Sequence, residues 1–194
     1  MRKFIPIIAL AALAGCGGAK NEQTAMKNYR VTPIEQVQNS APRLIGQGWM
    51  LITAGNLSSY NTMTASWGQL GHLWNKNVAT MYIRPQRYTK EFVDREGTFT
   101  LSFFKENYRN ALNICGTKSG RDGDKVKEAG LTPIATPAGS VGFEEAYMII
   151  ECRKLYADPL KAEAFVDSSI PAKIYPEQDF HTFYVGEILN VYVK

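Results

Sequence analysis

The 194-residue sequence predicts a mainly β fold, an antiparallel barrel that is closed or partly closed, with short helices in its connections. Three observations lead there. Five segments rich in β-branched and aromatic residues are long enough for strands, the helical patterns between them span only five to eight residues, and Gly or Pro marks many segment ends. In chain order, residues 49–54 (WMLITA) lie between Gly48 and Gly55. Residues 78–83 (VATMYI) stop at Arg84-Pro85, where proline cannot extend a central ladder. Residues 98–104 (TFTLSFF) alternate as a half-buried strand does. Residues 147–155 (YMIIECRKL) and 183–193 (FYVGEILNVYV) complete the set. Thr89 is placed to N-cap a helix over residues 90–95, with Gly97 just past its end. Residues 107–114 and 125–129 are two further short helix candidates.

The N-terminus reads as a targeting segment. Arg2 and Lys3 precede an apolar stretch, residues 4–14, that is shorter than the roughly 20 residues of a membrane-spanning helix. It ends in Leu13-Ala14-Gly15-Cys16, which resembles the lipobox of bacterial lipoproteins. The expected organisation is a signal over residues 1–15, lipidation at Cys16, a tether over 16–32 and one domain over 33–194. Gly17-Gly18 carry no acidic group, which favours an outer-membrane anchor over inner-membrane retention. Removing Arg2 and Lys3 takes two charges from the net +4, leaving about +2. No basic stripe interleaved with aromatics stands out, so nucleic acid is not an expected partner.

Composition excludes several chemistries. No CxxC, HExxH, GxSxG or GxxxxGK[ST] pattern occurs, and there are only two His and three Cys. Cys115 and Cys152 sit beside apolar runs, which favours buried free thiols, while an oxidising compartment would permit a disulfide between them.

Three segments carry candidate chemistry. In residues 61–68 (NTMTASWG), small side chains let backbone amides approach a flat ligand, although a Thr-rich edge strand has the same composition. In residues 83–92 (IRPQRYTKEF), Arg84, Arg87 and Lys90 crowd one helix start, where amides and dipole favour an anion. A phosphate would offset those charges, and so would Glu91 or Asp94. Residues 116–125 (GTKSGRDGDK) form a turn-rich loop, either wrapping a polar ligand or simply solvated.

Taken together, and in this order, WMLITAGN, SYNTMTASWGQLG, VATMYIRPQRYTKEFV, FTLSFF and CGTKSGRDGDKVKEAGLT resemble the flavin reductase family of the FMN-binding split barrel, over roughly residues 49–194. The resemblance implies a six-stranded antiparallel split barrel of Greek-key type, a homodimer, and FMN near the subunit interface. It places Asn61, Met63, Thr64, Ala65 and Ser66 against the flavin ring edge and ribityl chain. Arg84, Arg87, Tyr88, Thr89 and Lys90 fall around the phosphate, with Ser119, Gly120, Arg121, Asp122 and Lys125 close to the flavin. Gly123 stands where an apolar residue is more usual.

The function this implies is an oxidoreductase whose chemistry is carried by FMN, with no catalytic side chain of its own. Asn61 and nearby amides are expected to stabilise negative charge on the reduced ring. Trp67, Trp74 and Tyr88 are candidates to stack on or shield it. An exported location conflicts with NAD(P)H as donor, which keeps open an electron carrier without NAD(P)H turnover. A barrel that has lost its cofactor and serves as a binding module is a further alternative. Were haem the cofactor, only His72 and His181 could supply an imidazole.

Overall fold

A computed structural model describes residues 26–34 and 40–194. The signal segment, Cys16 and the tether up to residue 25 lie outside the described residues.

Ten strands are present among them: β1 (Arg30–Val31), β2 (Met50–Asn56), β3 (Ser59–Ala65), β4 (Gly68–Leu73), β5 (Lys76–Ile83), β6 (Thr98–Phe103), β7 (Pro133–Ala135), β8 (Val141–Phe143), β9 (Met148–Pro159) and β10 (Thr182–Val193). Four α-helices punctuate them: α1 (Tyr88–Arg95), α2 (Arg109–Thr117), α3 (Lys125–Glu128) and α4 (Ser169–Ile174). A π-helical turn covers Pro42–Gln47.

The main sheet runs β3-β2-β6-β9-β10-β5-β4, all pairs antiparallel, with β1 added beside β10. Strands β3 and β4 are the two ends of this path, yet only Ser66 and Trp67 connect them. Three Cα–Cα steps reach about 11 Å. A flat sheet of this width would separate its edges by roughly 29 Å, six inter-strand spacings. The sheet must therefore roll into a barrel, and it is split where β3 and β4 come together without pairing. Register shifts in β10 at Val185/Gly186 and Ile188/Asn190 supply local bending. Gly186 is required at the first, because a Cβ there would lie 2.5 Å from the Phe99 ring.

The barrel interior is filled from alternate positions: Met50 and Ile52 on β2, Phe99, Leu101 and Phe103 on β6, Ile150 on β9 and Tyr184 on β10. A second cluster packs α2, α3 and the β7–β8 hairpin on the outside, through Leu51, Leu112, Cys115, Val126 and Phe143. Between the layers several polar side chains are bonded to one another or to the backbone, although the buried Ser102 and Thr136 hydroxyls have no partner among the described residues. Thr53 and Thr62 share a 2.8 Å hydrogen bond across β2–β3, and Glu151 accepts from Ala138 N and the Tyr192 hydroxyl at 3.0 and 2.8 Å. Cys115 and Cys152 are buried and free, and burial pushes the Cys115 thiol up to about 11.

The structure corrects three expectations. The main sheet has eight strands instead of six, because β1 and β4 add to it; β4 (GQLGHL) is largely exposed and shows no core-facing alternation to betray it. The β7–β8 hairpin forms a separate sheet. Residues ahead of the expected boundary at 33 pack on the domain: the Tyr29 hydroxyl donates to the Ala146 carbonyl at 2.6 Å and Arg30–Val31 pair with β10. Thr89 is not an N-cap, since α1 already starts at Tyr88 with Arg87 in the cap position.

Candidate functional site

The split between β3 and β4 is where the candidate residues gather. The end of β3 brings Met63 to Ala65, and Ser66 and Trp67 follow in the connection. Pro85 stops β5, and a turn closed by Arg87 N donating to the Arg84 carbonyl at 3.1 Å aims that segment at the same place. The end of α2 and the loop after it add Thr117 and Ser119, and the start of α3 adds Lys125.

Two hollows form there and share Met63, Arg84 and Arg87. One, of about 240 Å³, is lined further by Tyr88, Thr89, Thr117, Ser119 and Lys125. The other, of about 180 Å³, is lined by Thr64 to Trp67, Tyr82 and His181. The first is rich in cations and hydroxyls, and the second has aromatic walls with a backbone floor. Joined, they make one cleft of the size class that takes a small ligand, roughly 300–1,000 Å³.

Charge pairing sorts the basic residues around this cleft. Arg84 is bound by Asp179 and donates to the Ile174 carbonyl at 2.9 Å, with its guanidinium 5.3 Å from the Tyr175 ring centroid. Lys90 pairs with Asp94 at 2.6 Å, Arg121 with Glu91, and Lys118 with Glu128. Arg87 and Lys125 differ. Arg87 donates to the Gly116 carbonyl at 2.7 Å, and Lys125 to the Cys115 and Lys118 carbonyls at 3.2 and 3.1 Å. Among the described residues no carboxylate forms an ion pair with either. Lys125 is buried, and burial, together with the charge of Arg87, pushes its ammonium pKa below the ordinary lysine value.

Not every expected residue faces the cleft. Asn61 does not line it. Its Nδ2 donates to Thr89 Oγ1 at 2.7 Å, and its Oδ1 lies against Gly120, so close that a Cβ at Gly120 would displace it. Asn61 is therefore a buried strut that fixes Thr89. Lys90 and Arg121 do not join an anion cluster, because Asp94 and Glu91 engage them; the Arg121 guanidinium also stacks on Tyr88, 4.4 Å from its centroid. Gly120 and Asp122 border neighbouring hollows instead. Thr64 lines the cleft while its hydroxyl donates to the Leu112 carbonyl at 2.5 Å, tying β3 to α2. Trp74 lies away at the β4–β5 hairpin, near Tyr156.

His181 is a cleft residue that sequence reasoning weighed only as a haem ligand. Its Nδ1 shares a 2.9 Å hydrogen bond with the Tyr175 hydroxyl, and its ring lies 4.9 Å from that of Trp67. Burial, reinforced by Arg84, holds its pKa down to about 4, so the imidazole is neutral at physiological pH. His72 is exposed on β4, outside the cleft, 3.3 Å from Asn77 Oδ1. Tyr82 and Thr117 also line the cleft: Tyr82 sits inside a strand with no local pattern to mark it, and Thr117 lies in the glycine-rich 116–125 segment beside the residues that drew attention there.

Residues 42–194 match the family model described as the flavin reductase like domain. Among solved structures, the FMN-binding domain of a flavin reductases-like enzyme from Shewanella baltica has a TM-score of 0.62 at 15% identity, covering 86% of this chain and 77% of that one. Flavoredoxin of Desulfovibrio vulgaris gives 0.59 at 23% identity, covering 75% and 69%. An FMN-binding protein from Thermus thermophilus holding p-hydroxybenzaldehyde gives 0.59 at 17% identity, covering 100% and 82%. At these identities the likeness establishes the split-barrel fold. No curated protein is similar enough in sequence to be matched.

Proposed function

This chain belongs to the flavin reductase-like domain family, and we propose that it is an FMN-dependent oxidoreductase, working as a homodimer anchored on the outer side of the cell envelope through a lipid on Cys16. One observation carries the cofactor reading. Arg87 and Lys125 bring two cations, neutralised by no carboxylate, into a cleft that also presents Thr89, Thr117 and Ser119. A buried cation without a partner is unfavourable unless a ligand supplies the anion. A phosphate monoester fits, with Arg87 giving directed hydrogen bonds and Lys125 a point charge.

The aromatic half of the cleft suits the remainder of such a cofactor. Residues Thr64 to Ser66 offer a wall of small side chains, and Trp67 and Tyr82 offer ring faces. FMN, when bound, supplies the ability to accept and release a hydride or electrons. The chain's own residues bind and orient it. Asn61 holds the Thr89 hydroxyl, and Thr64 locks β3 to α2 so that the cleft floor keeps its shape. Neutral His181 beside Trp67 puts no positive charge at the aromatic end.

A second reading is favoured by the export signal in residues 1–16: a flavin electron carrier that receives its electrons from another protein, without NAD(P)H turnover. One preparation tests both. The purified protein is expected to be yellow or to take up added FMN, and anaerobic NADH or NADPH is expected to bleach it. Persistent colour with both nucleotides selects the carrier, whereas failure to bind FMN sinks the cofactor reading. The mass of the mature N-terminal peptide checks the lipid on Cys16, and sedimentation equilibrium checks the dimer.

A further inference from the structure

A third hollow adjoins the cleft, and its chemistry is the opposite. It is a groove of about 850 Å³ between the π-helical turn, the start of β4 and the segment that follows β9. Ser66, Trp67 and Tyr82 line both it and the cleft, so the two are continuous. The groove walls are apolar: Ile45, Leu70, Leu160, Phe165, Ile170 and Ile174. Among its described lining residues none bears a charge. The Arg84 guanidinium, beside the Tyr175 ring, is engaged by Asp179 and by the Ile174 carbonyl. The polar groups are few and partly engaged. The Tyr82 hydroxyl donates to Gln69 Oε1 at 3.2 Å, which leaves the Gln69 amide nitrogen as donor, and the Tyr175 hydroxyl is bonded to His181.

A site of this volume is large enough for a two-ring compound. Its lining selects by charge. An anion entering it would leave water and gain no cationic lining residue, only the Gln69 amide, which opposes binding of a dinucleotide pyrophosphate or a carboxylate. A neutral carbonyl loses little on entry and meets one amide donor. Trp67 and Ile170, 45% and 43% exposed, leave large apolar surface at the groove that a flat hydrocarbon ring would cover. We infer that this groove binds an uncharged quinone, seated against Trp67 at the open end of the cleft. The inference names the substrate class of the proposed oxidoreductase and rests on that reading for its purpose, though binding itself does not require FMN.

Equilibrium dialysis of the purified protein, with and without FMN, tests it with menadione and with 1,2-naphthoquinone-4-sulfonate, a related ring system bearing one fixed negative charge. Menadione is expected to bind saturably and at least 10-fold more tightly than the sulfonate. Ile170→Asp, at an exposed position on α4, should weaken menadione at least 10-fold while leaving FMN uptake and the circular dichroism spectrum unchanged. Ile170→Leu should behave as wild type. Absent or non-saturable menadione binding, equal affinity for the sulfonate, or an unaffected Ile170→Asp protein would overturn the inference. So would a dimer that dissociates with Ile170→Asp and binds menadione only as monomer, because the groove would then be the subunit contact. Menadione binding with no FMN uptake would sink the proposed function and leave this site standing; FMN uptake with no menadione binding would do the reverse.

Discussion

The cleft and the groove meet at Ser66, Trp67 and Tyr82, but they treat charge in opposite ways. The groove has no charged lining residue among those described, and Arg84, beside its Tyr175 wall, is held by Asp179. The cleft keeps two cations, Arg87 and Lys125, for which the fold provides only backbone carbonyls. Around them Arg84, Lys90, Lys118 and Arg121 are each matched to a carboxylate. The contrast teaches that basic residues near a site are not equivalent evidence for an anion. A matched cation is already neutralised, whereas an unmatched one in a cleft makes ligand binding the step that completes its environment.

The sharpest way to break this comparison is Arg87→Ala. Hydrogen bonds to a charged group are worth roughly 1.5–3 kcal/mol, so FMN affinity should fall about 10- to 100-fold. Riboflavin, lacking the phosphate, should bind about as before, and raised salt should weaken FMN more than riboflavin in the wild type. Fluorescence titration with the two flavins measures both. Equal losses for the two would move Arg87 from phosphate contact to support of the fold.

A second prediction probes the border between the regions, where His181 is tied to Tyr175 on the groove side and faces Trp67. The folded imidazole takes up a proton only near pH 4, held low by burial and then by Arg84, while an unfolded one does so near 6.5. The unfolded chain therefore binds more protons across that window. Stability present above pH 6.5 should be lost as pH falls toward 4, by at most about 1.4 kcal/mol per pH unit and about 2 kcal/mol by pH 5. Urea midpoints at pH 7 and pH 5 should show the loss in wild type and a smaller one in His181→Gln. The same loss in both would assign it to another group.

How much of this was legible beforehand follows from where each signal resides. Strands β2, β5, β6, β9 and β10 announce themselves because burial demands Val, Ile, Phe and Met in runs. Strand β4 does not, since its GQLGHL side chains are mostly exposed and hydrogen bonds to β5 alone define it. Small-residue and cationic segments such as 61–68 and 83–92 were readable, because their composition is unusual for strand or helix. Pairing was not. Whether Arg84 is free depends on Asp179, ninety-five positions later, and the bond from Asn61 to Thr89 joins two different elements, which no local pattern discloses. His181 follows an acidic residue and an aromatic one just before a strand, a position with no local pattern to mark it.

Lys125→Met sharpens the contrast from the side of stability. Removing the buried ammonium should weaken FMN about tenfold, the loss of roughly 1.4 kcal/mol for one charged contact. Without flavin the variant should melt higher than wild type, because a charge desolvated by burial is replaced by a chain of similar length. The sign with pH is fixed by the same burial. The ammonium pKa is lower folded than unfolded, so the wild type carries its penalty at neutral pH and sheds it as pH rises toward 10.5. The advantage of the variant should therefore shrink over that range. A variant that melts lower at pH 7 would show that Lys125 stabilises the fold through its two carbonyls.

The smallest effect belongs to the matched cations, and its smallness is the point. Lys90 lies one helical turn from Asp94 on α1 and pairs with it at 2.6 Å, in a geometry worth about 0.3–0.5 kcal/mol at an exposed site. The Asp94 carboxylate is half exposed and also accepts from the Tyr184 hydroxyl at 2.6 Å, so without Lys90 it keeps one partner and gains water. Lys90→Ala should then shift the thermal midpoint by no more than a degree or two, from about 0.5 kcal/mol in a domain of this size. It should change FMN affinity less than 2-fold, with the FMN-to-riboflavin ratio unaltered. A loss near that of Arg87→Ala, confined to FMN, would mean that Lys90 leaves Asp94 for the phosphate when flavin binds. Matched and unmatched cations would then no longer be separable by the pairs they form in the unliganded fold.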